Sequence, residues 1–266
     1  LHPTFLHADV GLAPAGGLAI ACAERQVACR LGPRVEVLVV GRFRGDDDHP
    51  ALLPGGDGVV LLLVVPPQDR EAHAAEDDYP RMGSMIEPHA EVHLVHTEFL
   101  EDAHTVEALS EMGSIGRLTV GAEALTDSGI ESVLWTSTSA SFVLGLDGIR
   151  QQIDTLEKLL GVPASTTAMA FARAVKAIDA KTVAIAATYP EEVAQRFRSF
   201  LNHFDIDVVH LSSRGIVTAA EVGTLGKEEV IDFAVANTRE DSDALLIPDT
   251  ALHSAAWLMA LEQATG

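Results

Sequence analysis

Three short stretches place reactive side chains directly after apolar runs. SVLWT (132–136) is followed by Ser137, Thr138 and Ser139. TVAIAAT (182–188) is followed by Tyr189, and ALLIP (244–248) by Asp249 and Thr250. Hydroxyls and backbone N–H groups at such points suit a carboxylate, which accepts several hydrogen bonds at once. A carboxyl group beside them adds acid–base chemistry. Each residue also has a plainer role open to it. The Ser/Thr run fits a turn, Asp249 fits a helix N-cap, and Tyr189 fits a packed loop aromatic with its hydroxyl in water.

The elements that must position these residues alternate along the chain. Strands are expected at VVLLLVV (59–65), AEVHLVHTEF (90–99), SVLWT, TVAIAAT, DIDVVHL (205–211) and ALLIPD (244–249). Helical spacing runs through Val106, Leu109 and Met112 and later Ala122 and Leu125. Further helices are expected over 148–161, 166–180, 191–204, 227–240 and 253–266. Strands alternating with helices give an α/β fold with parallel sheets covered on both faces. Open α/β sheets bind ligands at the carboxyl ends of their strands. VVLLLVVPPQDRE echoes TVAIAATYPEEVA, and SVLWTSTSASF echoes ALLIPDTALHSAAW at a similar separation. The echo implies two related halves, 57–164 and 165–266, with four strand ends facing one another across a cleft.

Residues 1–56 read differently. They carry six acidic and five basic side chains, against 33 and 13 in the rest. One strand is expected in them, VEVLVVGRF (35–43), and Gly/Pro/Asp-rich stretches such as LLPGGDG read as linker. A boundary is expected near Gly56, with 1–56 an extension or linker that the fold can lose.

The chain of 266 residues has a formal net charge of −21 and only four lysines. No basic stripe exists to displace counterions, which argues against nucleic acid or an anionic membrane as partner. The acid-rich, lysine-poor balance fits life in high salt or simply a soluble acidic protein. Cys22 and Cys29 are too few for a disulfide framework and match no zinc spacing, which implies a reducing, cytoplasmic setting. No apolar run approaches the roughly 20 residues of a membrane helix, and no signal peptide is evident. His89, His93 and His96 cluster, but alternation puts His93 and His96 on opposite faces, so no metal site is expected. The glycines of EMGSIGR follow no strand, so no dinucleotide fingerprint is supported.

From about residue 57 the chain resembles the aspartate/glutamate racemase superfamily, in particular arylmalonate decarboxylase and maleate cis-trans isomerase. The pieces that carry the resemblance are VVLLLVVPPQ, SVLWTSTSASFVLG, GVPASTTAMAFARAVKAI, TVAIAATYPEEVAQRFRSFL and DALLIPDTALHSAAW, in that order. The resemblance implies two flavodoxin-like halves, each with a four-stranded parallel sheet, and a cofactor-free site between them. It implies that Thr138, Ser139, Tyr189 and the Thr250 N–H bind a substrate carboxylate and that Pro66 and Pro67 line the pocket. It also implies a further strand and helix beyond LEQATG, so the chain is expected to be truncated there.

One departure is chemical. Racemases and maleate isomerases of this superfamily place a cysteine at the strand end of each half, and the decarboxylase keeps the second. Here those positions hold Ser137 and Asp249. Decarboxylation tolerates this best. A malonate-type substrate losing CO2 needs donors aimed at the enediolate and an acid to return a proton to carbon. Asp249 fits that role if burial raises its pKa from about 3.9 by the 3–5 units burial can supply. An ionised Asp249 acting as a base, with Ser137 opposite, would instead suit a thiol-free isomerase or racemase. A relative that binds a small carboxylate without turnover also fits the retained Thr138, Ser139 and Tyr189.

Overall fold

A computed structural model describes residues 18–23, 26–31, 35–36, 59–64, 75–85, 90–97 and 101–266. The elements in chain order begin with β1 (Leu18–Ala23), β2 (Gln26–Leu31), β3 (Val35–Glu36) and β4 (Val59–Val64). Then come α1 (Asp78–Met85), β5 (Glu91–His96), α2 (Val106–Met112), α3 (Ile115–Glu123), β6 (Ser132–Trp135), α4 (Thr138–Phe142) and α5 (Gly145–Leu160). The remainder is β7 (Ala164–Thr166), α6 (Thr167–Ala177), β8 (Thr182–Ala187), α7 (Glu191–Asn202), β9 (Asp207–Ser213), α8 (Ala219–Gly223), α9 (Lys227–Asn237) and β10 (Ala244–Leu246). A 3-10 turn (Ala255–Trp257) and α10 (Leu258–Thr265) close the chain.

β1 and β2 form an antiparallel pair. The other strands pair in parallel, as the alternation of elements requires. One sheet runs β5–β4–β6–β7 and the other β3–β10–β8–β9. Helices cover both faces, and the burial shows it. Val183, Ile185 and Ala187 of β8 pack into one core, and Ala184 and Ala186 pack into another. Adjacent residues of a strand point to opposite faces, so a strand buried on both sides reads as a continuous apolar run. β6 does the same: Val133 and Trp135 pack with Leu118 and Leu156, while Leu134 packs with Tyr79, Met82 and Ala255.

Four elements differ from expectation. The stretch 104–129 forms two helices that break at Gly113. A Cβ at Gly113 would lie 2.0 Å from the Ala140 carbonyl oxygen, so the chain turns there against the backbone of α4. The buried Gln152 amide locks the contact, donating to the carbonyls of Gly113 (2.9 Å) and Ala140 (3.1 Å). β7 is only Ala-Ser-Thr and carries no apolar run, because its pairing with β6 rather than its own periodicity makes it a strand. α1 lies in a polar segment and is held by packing on β5 and Leu134. The closing helix begins with a 3-10 turn. The reading of α5 needs little change, with Ile149, Gln152 and Leu156 buried at helical spacing and Gly161 ending the helix at φ 67°. Of the expected strand 35–43, Val35–Glu36 pairs with Leu245–Leu246 of β10, and 37–43 lies outside the described residues. Among the described residues no helix is long and apolar enough to cross a membrane.

Candidate active site

Parallel pairing places β8 beside β10, so the residues that follow them emerge together. Thr188 follows β8, and its hydroxyl donates to Asp249 Oδ2. Asp249 Oδ1 accepts the Ala251 N–H at 2.9 Å. That bond closes an Asx turn rather than a helix cap, since the next helical residue is Ala255. Burial raises the pKa of Asp249 above the usual carboxylate value. His104, the Thr188 hydroxyl and the Ala251 N–H pull it back down, and the negative charge of Asp102 adds to the rise. The carboxyl thus sits where the neutral form is favoured by surroundings that still bind its anion.

Tyr189 shares that strand end. Its ring is edge-on to His104 at 5.2 Å and to Phe142 at 5.9 Å. Phe142 continues into Phe197 and Phe171 of the core. The packed-aromatic reading of Tyr189 therefore holds for its ring. Its hydroxyl is buried rather than in water and donates to the Pro248 carbonyl. Burial raises its pKa well above the ordinary value, the Asp249 charge adds to this, and the Ser139 hydroxyl beside it acts in the other direction. Ser139 follows β6 of the first sheet and Tyr189 follows β8 of the second. Their contact joins the strand ends of the two sheets.

The other hydroxyls after β6 are engaged locally. Thr138 donates to Thr167 at 2.9 Å. Ser137 is the N-cap of α4, accepting from Ala140 N, and its hydroxyl also reaches Met112 Sδ at 3.7 Å. Pro66 and Pro67 lie outside the described residues.

A cavity opens beside Asp249. Its walls include Tyr79, Met82, Phe171, Ile247, Thr250 and Leu252. Ser137 and Tyr189 are not part of its lining. Sequence reasoning missed Tyr79. It lies on α1, 2% exposed, with its hydroxyl against those of Thr136 and Thr250. Burial raises its pKa, and the charges of Asp249 and Asp78 raise it further. The chain has two tyrosines, and both hydroxyls come to this place. Their scarcity was a usable signal for Tyr189, which follows a strand. Tyr79 sits in a polar stretch that offered no element to place it.

His104 was missed as well. It is 6% exposed, and its Nδ1 lies 3.0 Å from the Ile216 carbonyl oxygen. Carboxylates of the first-sheet region tie down loops of the second. Asp102 accepts the N–H groups of Ala219 (2.7 Å) and Ala220 (2.9 Å). Asp78 Oδ2 accepts those of Ser254 (2.7 Å) and Ala255 (2.9 Å). Asp77, Asp78 and His253 come within reach of one ion. In the structure His253 pairs with Asp77 at 3.2 Å and Asp78 holds the 254–255 backbone. His93 pairs with Glu91 at 3.4 Å and His96 with Glu76 at 3.0 Å, so the two do not converge. His89 lies outside the described residues.

Residues 85–266 match the family model described as arylmalonate decarboxylase. Solved structures share the fold at low sequence identity. The maleate isomerase Iso from Pseudomonas putida S16 superposes with a TM-score of 0.68 at 18% identity, covering 78% of this chain and 85% of that one. A double variant of arylmalonate decarboxylase in the liganded form gives a TM-score of 0.63 at 21% identity over 78% and 85%. A variant of the Nocardia farcinica maleate cis-trans isomerase with a covalently bound succinylcysteine intermediate gives 0.63 at 19% over 73% and 79%. No curated protein matches the chain.

Proposed function

The chain belongs to the arylmalonate decarboxylase family, and from that premise we propose that it acts on the carbon α to a carboxylate of a small dicarboxylate, most simply by cofactor-free decarboxylation. The observation that carries this reading is the half-buried Asp249 carboxyl, raised in pKa by desolvation and opening onto a cavity beside Thr250 and Tyr79. A carboxyl whose pKa is raised by desolvation is suited to donate a proton.

In the proposed step one substrate carboxylate leaves as CO2, and its bonding electrons pass to the α carbon and the remaining carboxylate as an enediolate. Hydroxyl donors hold that charge, which is where such groups contribute most. Thr250 and Tyr79 line the cavity, with Thr136 against the Tyr79 hydroxyl and Ser139 and Tyr189 at the adjoining strand ends. The Tyr189 hydroxyl donates to the Pro248 carbonyl, so a bound carboxylate would compete with that oxygen. Asp249 then gives its proton to carbon. The apolar wall of Phe171, Met82 and Leu252 excludes water from the enediolate. Two related halves with a site between them is the architecture this reading uses, and the Ser139–Tyr189 contact supports it.

A thiol-free isomerase reading asks Ser137 to act opposite Asp249. The capping role of Ser137 and its absence from the cavity lining weigh against that. The test is a substrate panel of malonate derivatives, maleate, aspartate and glutamate, read for CO2 and for isomer formation. Release of CO2 from a malonate supports the proposal. Isomer formation without CO2 favours the second reading, and binding without turnover reduces the protein to a carboxylate-binding relative.

A further inference from the structure

Asp78 opens α1 and is 4% exposed. Its Oδ2 accepts the Ser254 and Ala255 N–H groups at 2.7 and 2.9 Å. Its Oδ1 is buried as well and accepts no hydrogen bond. Arg81 Nε stands 3.9 Å from that oxygen, beyond hydrogen-bond range, on a side chain that is half exposed. A buried carboxylate oxygen left without a partner costs free energy that a cation would recover. We propose that Asp78 Oδ1, a carboxylate oxygen of Asp77 and Nδ1 of His253 form a site for a divalent transition-metal ion of the zinc class. The ion would clamp the start of α1 to the loop after β10.

The geometry carries this in three ways. First, one ligand atom from each of Asp77, Asp78 and His253 lies within 4.8 Å of the other two. His253 Nδ1 and Asp77 Oδ1 are 3.2 Å apart. Two ligands each about 2.1 Å from one ion, at tetrahedral or octahedral angles, stand roughly 3.0–3.4 Å apart. The Asp77 side chain is 67% exposed and can rotate to close the remaining distance to Asp78. Second, the donor set selects the ion. Imidazole nitrogen suits zinc and its neighbours, whereas magnesium and calcium take oxygen. Neutral His253 with its hydrogen on Nε2 offers Nδ1 as the ligand. Water reaches the site through Asp77 and completes the coordination sphere. Third, the orphan oxygen separates this cluster from ordinary surface acids, which keep their hydration.

The neighbouring charges leave room for a cation. Glu76 is engaged with His96 at 3.0 Å. Arg81 offsets one of the two carboxylates and can turn outward when the ion enters. The site also bears on the cavity. Asp78 and Ser254 belong to its lining, next to Tyr79 on one side and Leu252 on the other. An ion held by Asp77, Asp78 and His253 fastens those two walls to each other.

The test is isothermal titration of zinc chloride into the full chain, with magnesium chloride as the oxygen-preferring control. Asp78→Asn is avoided because Asp78 also holds the 254–255 backbone. Asp77→Asn and His253→Gln keep side-chain size at more exposed positions. Each should weaken zinc binding by about tenfold or more, since even the loss of a group that supports a metal ligand costs that much. His203→Gln, on the exposed end of α7, should bind zinc as the wild type does. No zinc binding, magnesium bound as tightly as zinc, or one affinity shared by all four proteins overturns the site. Hydrogen exchange of the Ser254 and Ala255 amides reads the clamp. Saturating zinc should slow it on the order of tenfold in the wild type and leave it unchanged in His253→Gln. Zinc bound with unchanged exchange in the wild type overturns the clamp.

Discussion

Asp243 and Asp249 bracket the same strand, and their surroundings make them opposites. Asp243 stands at the start of β10. Its Oδ2 accepts the N–H groups of Lys181 (2.8 Å) and Thr182 (2.9 Å) and the Thr182 hydroxyl (2.9 Å). Burial tends to raise its pKa, yet the bonds from Lys181 and Thr182 outweigh it and the pKa is lowered. Asp249 stands at the end of β10, where fewer donors reach the carboxyl, desolvation outweighs them, and the pKa is raised. One carboxylate ties two strands together as an anion. The other has its pKa raised beside a cavity. Side-chain type is the same, so desolvation against donor count decides the difference.

The largest expected effect separates the two by activity. Asp249→Asn should slow turnover by roughly 10²–10⁴-fold, the scale of general acid–base catalysis, with substrate affinity and circular dichroism retained. Asn is nearly isosteric and still closes an Asx turn. Asp243→Asn should leave turnover close to wild type. An Asp249→Asn enzyme as active as the wild type removes Asp249 from the mechanism.

Next in size is stability. Asp243→Ala removes three bonds to one oxygen and should cost about 1–3 kcal/mol, the range for charge-assisted bonds left unmade, read from urea unfolding midpoints. Asp249→Asn should cost less. Equal losses would mean that the two carboxyls differ less than their surroundings imply.

The two should also respond to pH with opposite sign. The pKa of Asp243 is lowered on folding. Its contribution is present above the unfolded pKa and is lost as pH falls through the folded value. The pKa of Asp249 is raised on folding. Its contribution is full below the unfolded pKa and is lost as pH rises through the folded value. Stability measured across pH should therefore lose its dependence below the unfolded carboxylate pKa in Asp243→Ala and above it in Asp249→Asn. Turnover should fall along that second limb, as the acid form is depleted.

The smallest effect concerns Ser137, the first-sheet counterpart of Asp249 by position. As the N-cap of α4, Ser137→Ala should cost about 0.5–2 kcal/mol and change turnover little beyond what the shifted helix causes. A loss of turnover comparable to that of Asp249→Asn, at unchanged stability, would return Ser137 to the chemistry.

Much of this could be read before folding. Strands buried on both faces show as unbroken apolar runs, so β6, β8 and β10 stood out. Their order with amphipathic helices gave the parallel α/β class. The reactive residues after each run are expected to face one another across a cleft between the two halves. Ser139, Tyr189 and Asp249 do meet there. Thr136 and Thr188 were within reach of the same logic, as the last residues of their runs.

What the sequence determined by itself is the local part: which segments are apolar on two faces, which residues follow them, and that no thiol stands at the site positions. Tertiary structure alone decided the rest. Tyr79 reaches Thr136 and Thr250 from a polar segment that carries no period. His104 reaches Ile216 across 112 positions of sequence. β7 is a strand because β6 offers it a partner. The charge state of Asp249 likewise depends on burial and on groups brought from distant segments. Contacts of that kind leave no local pattern, because their free energy comes from surfaces that meet only when the chain is packed.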